Sequence, residues 1–187
     1  MSDADQPPPA RDDAGAHDSH RSGYAAIVGR PNVGKSTLLN ALVGTKLSIV
    51  APKPQTTRHR ILGILTRPEA QIVFVDTPGI HSTGRRVMNQ FMNRSATSSL
   101  SDADVVLFVL EALVWNDEDE RILERVKQAG RPTLLLINKI DRVRDKALLL
   151  PYIDGLSRRM QFADIVPISA ENRVNLGELP QLVSRHL

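Results

Sequence analysis

The 187-residue chain contains no cysteine, which excludes disulfides and thiolate metal sites. No apolar stretch approaches the roughly 20 residues needed to span a bilayer. The first 22 residues, MSDADQPPPARDDAGAHDSHRS, have almost no large apolar side chains. Without an apolar central run they cannot serve as a secretory signal, and their five aspartates argue against a transit peptide. So little apolar surface cannot offset the entropy of ordering, so residues 1–22 are expected to form a disordered tail. The chain has no internal repeat. The expected setting is soluble and cytoplasmic.

What remains, residues 23–187, is long enough to bury one core. The tail carries five Asp and two Arg, a net of −3, so the rest of this +3 chain stands at +6. A basic domain has a mild attraction for nucleic acid and anionic membranes. Peripheral contact with the inner face of a membrane is therefore kept as an expectation. The excess is scattered and made mostly of Arg, 18 against 6 Lys, so charge alone is a weak guide.

Apolar runs at 24–29, 61–66, 71–76, 105–110, 133–138 and 164–169 alternate with helix-like segments near 35–44, 86–99, 117–129, 146–160 and 176–187. Several runs are continuous Val/Ile/Leu blocks, as expected of strands covered on both faces. Such alternation predicts an α/β fold: a mostly parallel six-stranded sheet with helices on both faces. Ligands of these sheets bind beyond the carboxyl ends of the strands. The suggestive residues begin there, at Gly29, Asp76, Asn138 and Ser169.

Gly29-Arg30-Pro31-Asn32-Val33-Gly34-Lys35-Ser36 fits G-x-x-x-x-G-K-[ST] between a strand and a helix that continues at Thr37. In a P-loop the glycines let backbone N–H groups converge on phosphate oxygens. The helix N-terminus adds further donors. Lys35 suits the β- and γ-phosphates, and Ser36 suits Mg²⁺. Asp76-Thr77-Pro78-Gly79 ends a strand, where Asp76 can hold the Mg²⁺ hydration shell. Gly79 allows a backbone N–H to approach a γ-phosphate without a Cβ in the way.

Asn138-Lys139-Ile140-Asp141 matches N-K-x-D. The Asp141 carboxylate can accept from guanine N1–H and N2, whereas adenine offers a lone pair at N1 and no 2-amine. A site built on such a polar pairing rejects the wrong ligand by about 10⁴-fold or more. Lys139 can cover one face of the base while Asn138 ties loops together. Ser169-Ala170-Glu171 matches S-A-x, with the Ala170 N–H expected at guanine O6. The ligands implied are GTP and GDP with Mg²⁺.

GRPNVGKSTLLNAL, PQTTRHRILGI, DTPGIH, NKID and SAEN, in that order and spacing, resemble the Era GTPases. The resemblance covers roughly residues 22–187 and implies a P-loop NTPase G domain over 23–187. It implies phosphate contacts from Gly29 to Ser36 and Mg²⁺ ligation by Ser36 and a switch threonine. That threonine lies in the polar Lys46–Arg60 connection, with Thr57 favoured over Thr56. It also implies a water-mediated Mg²⁺ contact from Asp76, and guanine contacts from Asn138, Lys139, Asp141 and the Ser169–Glu171 loop. Family partners would be the 30S subunit and its 16S rRNA. In the family that contact is made largely by a C-terminal KH domain, and no G-x-x-G clamp occurs in these 187 residues.

Phosphoryl transfer to water needs mainly positioning and charge stabilisation. Ras-like enzymes orient water with a Gln after the DxxG glycine, but Ile80 stands there, so slow GTP hydrolysis is expected. Lys35, Asn32, Thr57 and Gly79 are the catalytic candidates. By likeness to K⁺-stimulated relatives with the same P-N-x-G-K-S, Asn32 would hold a K⁺ ion near the β/γ bridge. The alternative to a slow GTPase switch is a nucleotide-dependent ribosome or RNA adaptor with negligible turnover.

Overall fold

The computed structural model describes residues 20–44, 60–76, 100 and 102–187. Six strands form one sheet: β1 (Arg21–Val28), β2 (Arg60–Thr66), β3 (Ala70–Asp76), β4 (Val105–Glu111), β5 (Thr133–Asn138) and β6 (Asp164–Pro167). Their order is β2-β3-β1-β4-β5-β6. Only β2 runs antiparallel, joined to β3 through a tight turn in which Arg67 and Ala70 exchange both backbone hydrogen bonds. The mostly parallel six-stranded sheet expected from the sequence is therefore present.

The unbroken apolar runs have the cause anticipated. Residues 105–110 of β4 are buried throughout, and their side chains alternate between two separate cores. Val106, Phe108 and Leu110 join Ile122, Leu123 and Val126 of α2 (Asp117–Ala129) and Leu149 and Leu156 of α3 (Leu149–Ser157). Val105, Leu107 and Val109 join Leu38, Leu39 and Val43 of α1 (Lys35–Val43) and Leu179 and Val183 of α4 (Leu179–Ser184). Helices cover both faces, which leaves the strand ends as the place for a site. Gly63, beside a register shift between Ile61 and Gly63, lets α1 sit close: a Cβ there would lie 3.1 Å from Val43 Cγ2.

Several boundaries move for identifiable reasons. β1 starts at Arg21, two residues inside the segment read as tail, because Arg21 and Ser22 pair with Ala70 and Gln71. The Arg21 guanidinium also donates to the carbonyls of Ser184 and Arg185 at the end of α4. Residues 1–19 lie outside the described residues, as does the helix expected at 86–99. The single helix expected over 146–160 is a 3₁₀ turn at Lys146–Leu148 followed by α3. Pro151 has no N–H and is tolerated only in a first turn, so a continuous helix starting at 146 would place it where it breaks the ladder. Pro180 excludes a start at 176 in the same way, and the last helix spans Leu179–Ser184 rather than 176–187.

Candidate nucleotide site

The loop from β1 into α1 is shaped by its glycines and one asparagine. Gly29 has φ 148° and packs so tightly that a Cβ would strike the Val109 carbonyl. Gly34 has φ 99° and faces the Asn138 carboxamide, again with no room for a Cβ. Asn32 has φ 62°, a left-handed conformation that Asn tolerates better than most residues with a Cβ. Lys35 folds its ammonium back into the loop and donates to the carbonyls of Gly29 at 2.7 Å and Arg30 at 2.8 Å.

Asn138, at the end of β5, is 2% exposed and holds the site together. Its Nδ2 donates to the Val33 carbonyl at 2.8 Å, and its Oδ1 accepts from the Ala170 N–H at 2.9 Å. The loop-tying role expected of Asn138 is thus explicit. The Ala170 N–H, the donor expected at guanine O6, faces Asn138, because the S-A-x loop is seated directly on that side chain. Ser169 donates its hydroxyl to Asp141 Oδ1 at 2.5 Å and accepts from the Asn172 N–H at 3.1 Å. Ser169 is therefore an orienting group for the Asp141 carboxylate.

A cavity of about 430 Å³ opens between these elements. Its walls are Asn32, Gly34, Lys35, Ser36 and Thr37 on one side and Asn138, Lys139, Asp141, Ala170 and Glu171 on the other. Arg142, which the motifs did not single out, also lines it. Gly29, Arg30, Pro31, Val33, Ile140 and Ser169 do not line it. Val33 is fully buried in the core, and Ile140 donates its N–H to the Ile168 carbonyl. The backbone of Asp76 closes β3 at the same rim, in register with Ile27, two residues ahead of Gly29. Thr57, Thr77, Pro78, Gly79 and Ile80 lie outside the described residues.

Residues 24–139 match the family model described as 50S ribosome-binding GTPase. The chain belongs to this family. It is 52% identical to GTPase Era of Pseudomonas aeruginosa over 167 residues, covering 89% of this chain and 55% of that protein. Among solved structures, it resembles a point variant of Aquifex aeolicus Era bound to GDP.AlF4⁻, with 45% identity and a TM-score of 0.72 over 89% of this chain and 57% of that one. It also resembles Era in complex with MgGDPNP and nucleotides 1506–1542 of 16S ribosomal RNA, with 44% identity and a TM-score of 0.73 over 90% and 57%. A more distant likeness is the G domain of the T. maritima FeoB iron transporter, at 25% identity and a TM-score of 0.63, covering 88% of this chain and 98% of that one. These comparisons mark an Era-family G domain, and the chain spans a little over half the length of the curated relatives it matches.

Behind the cavity of this Era-family G domain lies a charged cluster that the motifs did not disclose. Glu111 ends β4 and accepts from Lys139 Nζ at 3.0 Å and from Arg30 Nη2 at 3.2 Å, both through Oε2. Burial pushes the Glu111 carboxyl up, yet Lys139 and Arg30 together hold it below its ordinary value. Asp119, fully buried, lies 3.3 Å from Arg30 Nε, though neither that nitrogen nor Asp119 Oδ1 makes an aligned hydrogen bond. Its burial outweighs the attraction of Arg30 and raises its pKa. Lys146 adds a further support, donating to the carbonyls of Ile140 and Val143 and so closing the turn that carries Asp141. Pairings across such sequence distances have no fixed spacing for a motif search to find.

Proposed function

We propose that this chain binds GTP and GDP with Mg²⁺ and hydrolyses GTP slowly to GDP and phosphate, acting as a conformational switch. The observation that carries the reading is the shared cavity, with Lys35 and Ser36 on one wall and Asp141 and Lys139 on the other. A phosphate-binding loop and a guanine-selective carboxylate facing one space fit a guanine nucleotide and little else.

The roles follow from the chemistry of each group. Lys35 and the N–H groups around it would take the phosphates, Asp141 the N1–H and 2-amine edge of guanine, and the Lys139 stem one face of the base. The residues also fit a Mg²⁺ ion: Ser36 lines the cavity, and the strand end bearing Asp76 shares its rim. Mg²⁺ is usually bound by one or two protein groups together with substrate phosphates, so this sparse donor set suits it. When bound, the ion would help neutralise charge on the phosphates. Asn32 is proposed to hold a K⁺ ion beside them, supported by its position on the cavity wall. Thr57 and Gly79 retain their proposed contacts to Mg²⁺ and the γ-phosphate.

One relative of known structure, Era, is in complex with MgGDPNP and nucleotides 1506–1542 of 16S ribosomal RNA, and a part in small-subunit assembly is proposed for this chain on that likeness. No helix among the described residues is long and apolar enough to cross a membrane. A cytoplasmic location with peripheral membrane contact is the corresponding proposal.

Competition titrations with GDP, GTP and ATP test the nucleotide, and tight GDP binding unaffected by excess ATP is expected. Single-turnover GTP hydrolysis, with and without 30S subunits, tests the activity. Binding with no turnover in either condition would replace the switch by the adaptor reading. Equal rates in K⁺ and Na⁺ would sink the role given to Asn32.

A further inference from the structure

We propose that Glu111 is a positioning residue for nucleotide binding, joining the phosphate-binding loop to the base-binding turn through Arg30 and Lys139. This rests on the guanine-nucleotide reading above.

Three observations carry it. A single carboxylate oxygen, Glu111 Oε2, accepts from Lys139 Nζ at 3.0 Å and Arg30 Nη2 at 3.2 Å. Lys139 lines one wall of the site and Arg30 belongs to the loop that carries the other, 109 positions away in sequence. They lie close enough to repel each other without the anion between them, since like charges this near are only partly screened by solvent.

Each cation then passes its position to a group in the cavity. Arg30 contributes the backbone carbonyl that accepts from Lys35 Nζ at 2.8 Å. Fixing its guanidinium between Glu111 and Asp119 therefore fixes one of the two carbonyls that hold the phosphate-binding ammonium. Lys139 has φ 64°, a left-handed conformation unfavourable for a residue with a Cβ. Its side chain is 17% exposed and is drawn onto Glu111. That contact selects the rotamer in which its stem runs along the cavity wall.

Glu111 is well placed to do this because its backbone is paired within the sheet. It ends a strand paired with β5, in register with Asn138, the residue that pins the P-loop and the S-A-x loop. The adjoining Ala112 N–H donates to the Asn138 carbonyl at 2.8 Å. The carboxylate thus stands at the end of the ladder next to Asn138, whose successor Lys139 it holds.

The test is a double-mutant cycle on GDP affinity in the 187-residue chain, with the melting temperature of each nucleotide-free variant measured alongside. Glu111→Gln keeps the shape and removes the charge. It is expected to weaken GDP binding about tenfold, and Lys139→Ala at least as much, with coupling of the kind seen between residues in direct contact. The double variant is expected to lose clearly less than the sum of the two single losses, because the Lys139 link is common to both changes and only the Arg30 link is broken by Glu111→Gln alone. GDP affinity of Glu111→Gln within twofold of the parent overturns the proposal, as does a double variant whose losses add in full. If Glu111→Gln does not fold, Glu111→Asp keeps the charge on a stem one methylene shorter. It should then bind GDP about threefold or more weakly, and unchanged binding again overturns the inference. Failure of the parent chain to bind GDP would instead sink the nucleotide reading itself.

Discussion

Two helices of this molecule begin in opposite ways. α2 starts from Asn116 with a full capping box: the Asn116 side chain accepts from Glu118 and Asp119 N–H groups, and Asp119 reaches back to the Asn116 N–H. Its first turn is acidic throughout, from Asp117 to Glu120. α1 starts from Gly34 in a left-handed conformation, with no side-chain cap and no acidic residue in its first turn. An anion near a helix N-terminus is stabilising by about 0.3–1 kcal/mol, and a capping side chain by about 1 kcal/mol. α2 takes both from its own sequence. α1 forgoes both, leaving its N–H groups and partial positive charge directed into the cavity.

The sharpest way to break this contrast is to give α1 an acid of its own. Thr37→Glu places a carboxylate in the first turn, on the cavity wall. GDP affinity should fall by about 100-fold or more, since opposed like charges cost several kcal/mol. The melting temperature of the nucleotide-free protein should hold or rise slightly. A variant that still binds GDP normally would show that the open helix end has no part in binding.

The next effect is on the pin that keeps the α1 loop in place. Asn138→Ala leaves the Val33 carbonyl and the Ala170 N–H without their partner inside the protein. A loss of about 2–4 kcal/mol in chemical unfolding is expected, with GDP binding lost alongside. Undiminished stability would mean that the loops are held some other way.

A smaller and purely structural effect is expected at α2. Asn116→Ala should cost about 1 kcal/mol in unfolding free energy and leave GDP affinity within about twofold of the parent. A large loss of affinity there would erase the distinction between the two helix ends.

The smallest concerns pH. Glu111 has a folded-state pKa below its ordinary 4.5, so its stabilisation is complete above that value and is lost as pH falls through the lowered one. Asp119 acts in the opposite sense. Its pKa is raised above 3.8, so burying its charge costs stability at neutral pH, and protonation relieves that cost. The destabilisation caused by Glu111→Gln should therefore shrink, by about 1 kcal/mol or less, as unfolding is followed from pH 6 to about pH 3.5. A gap constant with pH would show that Glu111 is not held as an anion by its neighbours.

The parts of the molecule legible in the sequence were those with local causes. Apolar runs marked all six strands, most clearly β4 and β5, where a strand covered on both faces needs apolar residues at every position. The P-loop could be read because Gly29 and Gly34 occupy backbone conformations closed to most residues, and that requirement leaves a spaced signature. Asn138 and Asp141 were legible through their order after that loop. The Arg30–Glu111–Lys139 cluster was not, because its members meet only when β1, β4 and β5 lie side by side. The engagement of the Ala170 amide by Asn138 was missed for the same reason, being a contact across 32 positions. Helix lengths failed where Pro151 and Pro180 set a start that apolar periodicity ignores.

The guanidinium of Arg21 on the last carbonyls of α4 has a mechanical consequence. It brings the beginning of β1 and the end of the described chain together at the amino end of the parallel strands, where Leu187 also lies against Gly23. The eight residues of β1 then separate that end from the P-loop by about 25 Å at the usual rise of a strand. A tether attached at either residue 20 or residue 187 would therefore leave the nucleotide rim clear.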